Sequence, residues 1–157
     1  MIYGAGFKEC TVSGPLKNVV IGFASEYVAT YPERSEQAQR FQTENIEMAS
    51  HCRFAIDVTE AELEFAGFRG EAIIPFVRCA RDQAVILRCS NLFEKLRQLG
   101  RSQANRAKSN FYLGTGAMPG HHAAIATFNK DVREFIPEIE TELREAGVQI
   151  THFDALN

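Results

Sequence analysis

Apolar residues recur along much of this chain at three- and four-residue spacing, the repeat of a helix with one buried face. Leu16, Val19, Val20, Phe23, Tyr27 and Val28 keep that spacing up to Thr30. Ahead of them, Ser13-Gly14-Pro15 reads as a helix start, a Ser cap followed by Pro in the first turn. Thr30-Tyr31-Pro32-Glu33 is a capping box that opens a second helix, and Glu33 to Ala66 contains neither Gly nor Pro. A further Thr-x-x-Glu box, Thr59 to Glu62, marks a break near Asp57. From Glu71 to Leu99 only Pro75 interrupts the run. Within it Cys79, Ile86, Cys89, Phe93 and Leu96 form one stripe, flanked by Val85, Leu92 and Leu99, and Gly100 ends it. Pro119-Gly120 opens a last helix, in which Ile125, Phe128, Val132, Phe135, Ile136, Ile139, Leu143 and Ala146 form a ladder. Pro137 predicts a kink there, and Gly147 caps the end.

These elements predict an all-α fold, an up-and-down bundle of four to five helices with Glu71–Leu99 at its centre. Residues 1–157 form a single domain, with an N-terminal arm at 1–12, a long connecting loop at 101–118 and a C-terminal tail at 148–157. The alternative is an α+β domain with a small sheet, its strands at 54–58, 72–77, 84–87 and 148–150. Two long windows almost free of helix breakers favour the bundle.

Composition narrows the class without choosing a function. With 157 residues, 45% apolar and 24% charged, the chain can bury a real core and is neither disordered nor a disulfide scaffold. No apolar run reaches the ~18 residues of a membrane span, and Met1 to Cys10 lacks a basic-then-apolar leader. None of the four cysteines forms a Cys-x-x-Cys pair, so reduced thiols in a cytoplasmic protein are expected, with Cys79 and Cys89 in the core.

Charge is segregated. Residues 69–108 carry nine basic and three acidic side chains, a surplus of six, while the net charge of the chain is −3. Arg81, Arg88 and Lys95 recur every seven residues and predict a basic stripe on the central helix, which acidic helices on either side can neutralise. Nucleic acid is a poor fit, because few aromatics interleave with the basic residues and no recognition motif is present.

Candidate chemistry is sparse. Glu44, Glu47 and His51 share one helical face and, with His121, are the residues a di-iron-like bundle would use. No Glu-x-x-His motif accompanies them, so no metal and no cofactor is expected. Gly114, Gly116 and Gly120 lie before the predicted last helix, where a glycine loop and a helix N-terminus together hold anions. No nucleophile–base pair is legible, since His51 and the adjacent Cys52 point to different helical faces. The expected function is therefore a non-enzymatic interaction or regulatory module that self-associates or binds a protein partner. Its partner surface would be drawn from Arg78, Arg81, Arg88, Lys95, Arg101, Arg106 and Lys108, with Phe65, Phe68, Phe111 and Tyr112 as apolar anchors, and salt would weaken the complex. The rival is a small-anion or nucleotide-binding protein that uses the 114–120 loop with Arg101, Arg106 and Lys108.

Overall fold

From Ile56 to Glu64 the chain turns Ile56, Val58, Ala61 and Leu63 inward and leaves Thr59, Glu60 and Glu62 outside. That near-alternation makes a strand, not a helix. The computed structural model describes residues 2–3, 6–22 and 35–153, and it is a mixed α/β fold. Its strands are β1 (Ile2–Tyr3), β2 (Cys10–Lys17), β3 (Val20–Gly22), β4 (Ile56–Glu64), β5 (Gly67–Arg69), β6 (Val77–Arg78), β7 (Ala84–Arg88), β8 (Ala123–Thr127) and β9 (Gln149–His152). Among the described residues four α-helices accompany them: α1 (Ser35–Ser50), α2 (Leu92–Ser102), α3 (Arg106–Leu113) and α4 (Ile136–Glu145).

Two parallel sheets, ordered β1-β3-β5 and β2-β4-β6, are halves of one bent ribbon. Strand β2 runs into β3 through Asn18, and β4 runs into β5 through Phe65; both corner residues have φ of 55°. The corners lie side by side, since the Asn18 N–H donates to the Glu64 carbonyl at 3.1 Å and Gly67 N–H to the Val19 carbonyl at 2.9 Å. Helix α1 falls between β3 and β4 in the chain, as a parallel connection requires. It buries Ala38, Asn45 and Ala49 along one face and leaves most of the rest in solvent.

The third sheet, β8-β7-β9, is antiparallel and buried on both faces. Ile86 and Ile125 face a core shared with the parallel ribbon, including Val58, Leu63, Phe68 and Ile73. Val85, Leu87, Ala124 and Ala126 face a second core with Leu92, Leu96, Phe111, Ile139 and Leu143 of the helices. The order is thus ribbon, central sheet, helical layer.

Gln83 joins the first two. Its buried side chain donates from Nε2 to the Ala61 carbonyl at 2.6 Å and accepts from the Leu63 N–H at 3.2 Å. Its own carbonyl accepts from Phe128 N–H at 2.7 Å. One side chain therefore continues the pairing of β4 beyond the two residues that β6 covers.

This architecture corrects the all-α bundle. The predicted central helix Glu71–Leu99 is a 3-10 segment (Glu71–Phe76), two strands and the start of α2. A strand buried on both faces reads as an unbroken apolar run, and Ala84-Val-Ile-Leu87 has no polar face to reveal period two. The window from Glu33 to Ala66 divides after Ser50 into α1 and β4. The predicted last helix from Pro119 is strand β8 followed by α4, in whose first turn Pro137 sits without a kink. Ser13-Gly14-Pro15 lies inside β2, with Gly14 at φ 80°, and Leu16 continues that strand. The rest of that predicted helix from Phe23 to Thr30, and the Thr30–Glu33 box, lie outside the described residues. The arm at 1–12 contains β1 and the start of β2, the loop at 101–118 contains α3, and the tail at 148–157 contains β9. Of the alternative strands, 84–87 and 148–150 fall on β7 and β9, 54–58 overlaps the start of β4, and 72–77 is mostly the 3-10 segment.

Replacing Gln83 by Leu leaves the Ala61 carbonyl and the Leu63 N–H buried without partners. At about 1–2 kcal/mol for each group, the expected loss is about 2–4 kcal/mol. Urea unfolding should show a lower midpoint with an unchanged slope. Gln83→Glu should cost at least as much, because a carboxylate cannot donate to the Ala61 carbonyl.

Candidate functional site

Phe65 sits at the corner between β4 and β5 in the left-handed region, at φ 55°. Asn, which occupies the matching corner at position 18, tolerates that region; an aromatic with a full side chain does not. The ring also stays in water, 60% exposed. Thr127 Oγ1 donates to the adjacent Ala66 carbonyl at 2.6 Å, which pins the corner to the end of β8.

Beside Phe65 runs a groove of about 480 Å³, walled by Val20, Phe65 and Gly67 on one side and by Phe111, Leu113 and Thr115 on the other. Leu113 ends α3 and is 49% exposed. Its position depends on Gly100, where a Cβ would come within 2.7 Å of Leu113 Cγ. The floor is rigid: the Phe111 ring stacks on Phe128 at 5.5 Å and meets Tyr112 edge-on at 5.3 Å. None of the described lining residues is charged.

Helix α3 is held behind this groove by an ion-pair network. Asn105 caps it, its Oδ1 accepting from Ala107 N–H at 2.9 Å and Lys108 N–H at 3.2 Å. Lys108 is buried, and its ammonium donates to Glu142 and, at 3.2 Å, to Glu138 of α4. Glu142 also accepts from the Tyr112 hydroxyl at 2.5 Å and from Gln103 Nε2 at 3.0 Å. Desolvation pulls the Lys108 ammonium down, but the two carboxylates outweigh it and raise its pKa. Desolvation pushes Glu142 up, yet Lys108, Tyr112 and Gln103 together hold it below the usual carboxylate range. Burial, with the Glu142 carboxylate beside it, raises the Tyr112 phenol.

No protein-family model, curated protein or solved structure matches this chain.

The residues expected to form one basic stripe are dispersed. Arg81 is in a turn, Arg88 ends β7 with Nη1 3.4 Å from the Thr151 hydroxyl, and Lys95 on α2 donates to the Ala146 carbonyl at the end of α4. Arg101 lies in the last turn of α2, and Arg106 opens α3; both are exposed. Arg78 ends β6, in a separate cleft. Of the glycines, Gly114 ends α3, where its N–H donates to the Asn110 carbonyl at 2.8 Å. Gly116 passes so close to β5 that a Cβ would collide with the Phe68 carbonyl, and Gly120 turns the chain at φ 84°. Strand β8 follows them, so this loop has no helix N-terminus. Glu44 pairs with Arg40 at 2.8 Å on the surface of α1, His51 follows that helix, and His121 precedes β8. Among the described residues no group of three or more His, Cys, Asp or Glu side chains is placed to hold a metal ion, and no helix is long and apolar enough to cross a membrane. Of the expected apolar anchors, Phe68, Phe111 and Tyr112 are buried and Phe65 is exposed.

The two cysteines assigned to one apolar stripe differ sharply. Cys79 is buried, and desolvation pushes its thiol up to about 12. Cys89 is half-buried just past β7, its N–H paired with the His122 carbonyl at 2.9 Å. Desolvation raises it, but the Asn91 N–H at the start of α2 and the Lys95 ammonium win and lower its pKa. The signal in the sequence was Asn91 as a helix cap two residues beyond the thiol.

Two outcomes follow. Lys108→Met should cost about 1–3 kcal/mol at neutral pH, because it strands a partly buried carboxylate. Glu142 is depressed, so its contribution is present above the ordinary carboxylate pKa and is lost as pH falls through the lower folded value. Lys108 is raised, so its contribution is present below its ordinary pKa and is lost as pH rises through the higher folded value. The stability gap between wild type and Lys108→Met should therefore be flat between roughly pH 5 and 10 and shrink on both sides. Separately, iodoacetamide at neutral pH should label Cys89 and leave Cys79 unmodified in the folded protein, as read by peptide mass mapping.

Proposed function

We propose that this chain is a non-enzymatic interaction module that self-associates through the groove beside Phe65. The observation that carries this reading is one residue: an aromatic side chain held in a strained backbone conformation and left in solvent at the rim of an apolar groove. Strain of this kind persists where the surroundings over-determine it, and it concentrates at binding sites. Aromatic anchors dominate interface energetics, and interface cores are depleted of charge.

A second copy of the chain is the occupant that fits. Asn110, Thr115, Thr127 and Asn129 are the polar groups of the described lining, and all are neutral. Two such surfaces meet without like-charge repulsion, and amide and hydroxyl groups both donate and accept, so a two-fold pairing satisfies itself. The described lining of the groove carries no charge, so association through it is expected to be indifferent to salt.

Size-exclusion chromatography with light scattering tests this at low and high salt. A concentration-dependent dimer that persists at high salt supports it, and Leu113→Asp should abolish that dimer. Phe65→Gly separates interface from fold. Relief of the left-handed strain, about 1–2 kcal/mol, exceeds the added chain entropy of Gly, so the variant should gain roughly 0.5–1 kcal/mol while losing the dimer. A strict monomer at every concentration and salt, or a dimer unaffected by both variants, overturns the proposal.

A further inference from the structure

A second surface lies at the opposite end of β4 from Phe65. Strands β4 and β6 pair Asp57 with Arg78, so these side chains leave the same face as cross-strand neighbours. They open onto a cleft of about 330 Å³, which Arg53 and Thr59 also line, and whose apolar wall is Phe54, Phe76 and Phe153. Phe54 and Phe153 are buried, which makes that wall rigid.

Two guanidinium groups face this cleft, and neither is fully engaged by its carboxylate. The Arg78 guanidinium carbon lies 4.5 Å over the Phe54 ring, which fixes its plane. Its nearest carboxylate contact, Asp57 Oδ2, is at 4.0 Å, well outside a charge-assisted hydrogen bond of about 2.7–2.9 Å. Asp57 is turned elsewhere: its Oδ1 accepts from the Thr59 N–H at 3.0 Å and the Thr59 hydroxyl at 2.7 Å. Arg53 reaches Glu9 through Nε at 3.4 Å, a long hydrogen bond that leaves its terminal nitrogens for other acceptors.

We infer that this cleft binds a small organic carboxylate, with the carboxylate forked between Arg53 and Arg78 and the apolar body against Phe54, Phe76 and Phe153. A planar carboxylate matches the guanidinium fork, and a cleft of this volume lies at the small end of ligand sites. The aromatic wall decides between anions: Phe54, Phe76 and Phe153 give an apolar body a surface to pack on, which inorganic phosphate does not have, so a carboxylate on an apolar body is favoured. The site is independent of the groove at Phe65.

Benzoate is the probe, with benzamide as its uncharged isostere and inorganic phosphate as the rival anion. Backbone amide shifts of the intact chain, recorded by NMR during titration at constant ionic strength, read where each binds. Benzoate should give saturable shifts at Phe54, Asp57 and 77–79, and benzamide and phosphate should give none there. Arg78→Met should weaken benzoate at least about tenfold. Arg78→Lys, which keeps the charge and loses the fork, should also weaken it. Arg53→Met is the second variant, with the same loss expected should Arg78→Met fail to fold. Absence of saturable shifts at those residues, equal binding of benzamide, tighter binding of phosphate, or unchanged affinity in folded Arg78→Lys and Arg53→Met would each overturn the assignment.

Discussion

The fold depends on how the exposed flank of β4 is satisfied. Strand β6 covers it only at Ile56 and Asp57, and a buried peptide group without a partner costs about as much as several good contacts yield. The Gln83 amide supplies one donor and one acceptor in the spacing that a strand would offer at Ala61 and Leu63. Because Gln83 also leads into β7 and accepts from Phe128, this one residue seats the antiparallel sheet against the parallel ribbon. Everything beyond it, including the helical layer on the far face of β7, inherits that placement.

The second constraint is charge. Lys108 is buried between α3 and α4, and burial of an ammonium is tolerable only with carboxylates in contact. Glu142 serves two ends at once, neutralising Lys108 and accepting from Tyr112 and Gln103. The network orients α3 so that Phe111 faces inward and Leu113 reaches the surface beside Phe65. An ion pair in the helical layer thus shapes an uncharged groove on its border.

The same economy explains why the chain keeps two unlike surfaces. At the β4–β5 corner the backbone is strained and the side chain is apolar and exposed. At the other end of β4 the backbone is regular, and charged groups are held loosely around a rigid aromatic wall. One strand carries both, because its inward residues are committed to the core and its ends are free to vary.

The sequence alone determined a single well-packed chain with reduced-type cysteine spacing, a buried Cys79, and helical character in the stretches that became α1, α2 and α4. It marked charge segregation, part of which the fold uses internally at Lys108, and it offered Phe65 beside Phe68, Phe111 and Tyr112 as possible anchors, three of which the fold buries. It did not reveal the sheets. A central strand such as Ala84–Leu87 is apolar on both faces and carries no period of its own, and helical spacing can be traced through it by chance. Only the tertiary structure decided that Arg81, Arg88 and Lys95 part company, that Arg53 and Arg78 meet across a cleft, and that Gln83 acts as a piece of strand. Those are long-range pairings, set by which peptide groups and charges lack partners once the chain has collapsed, and a local pattern holds no record of them.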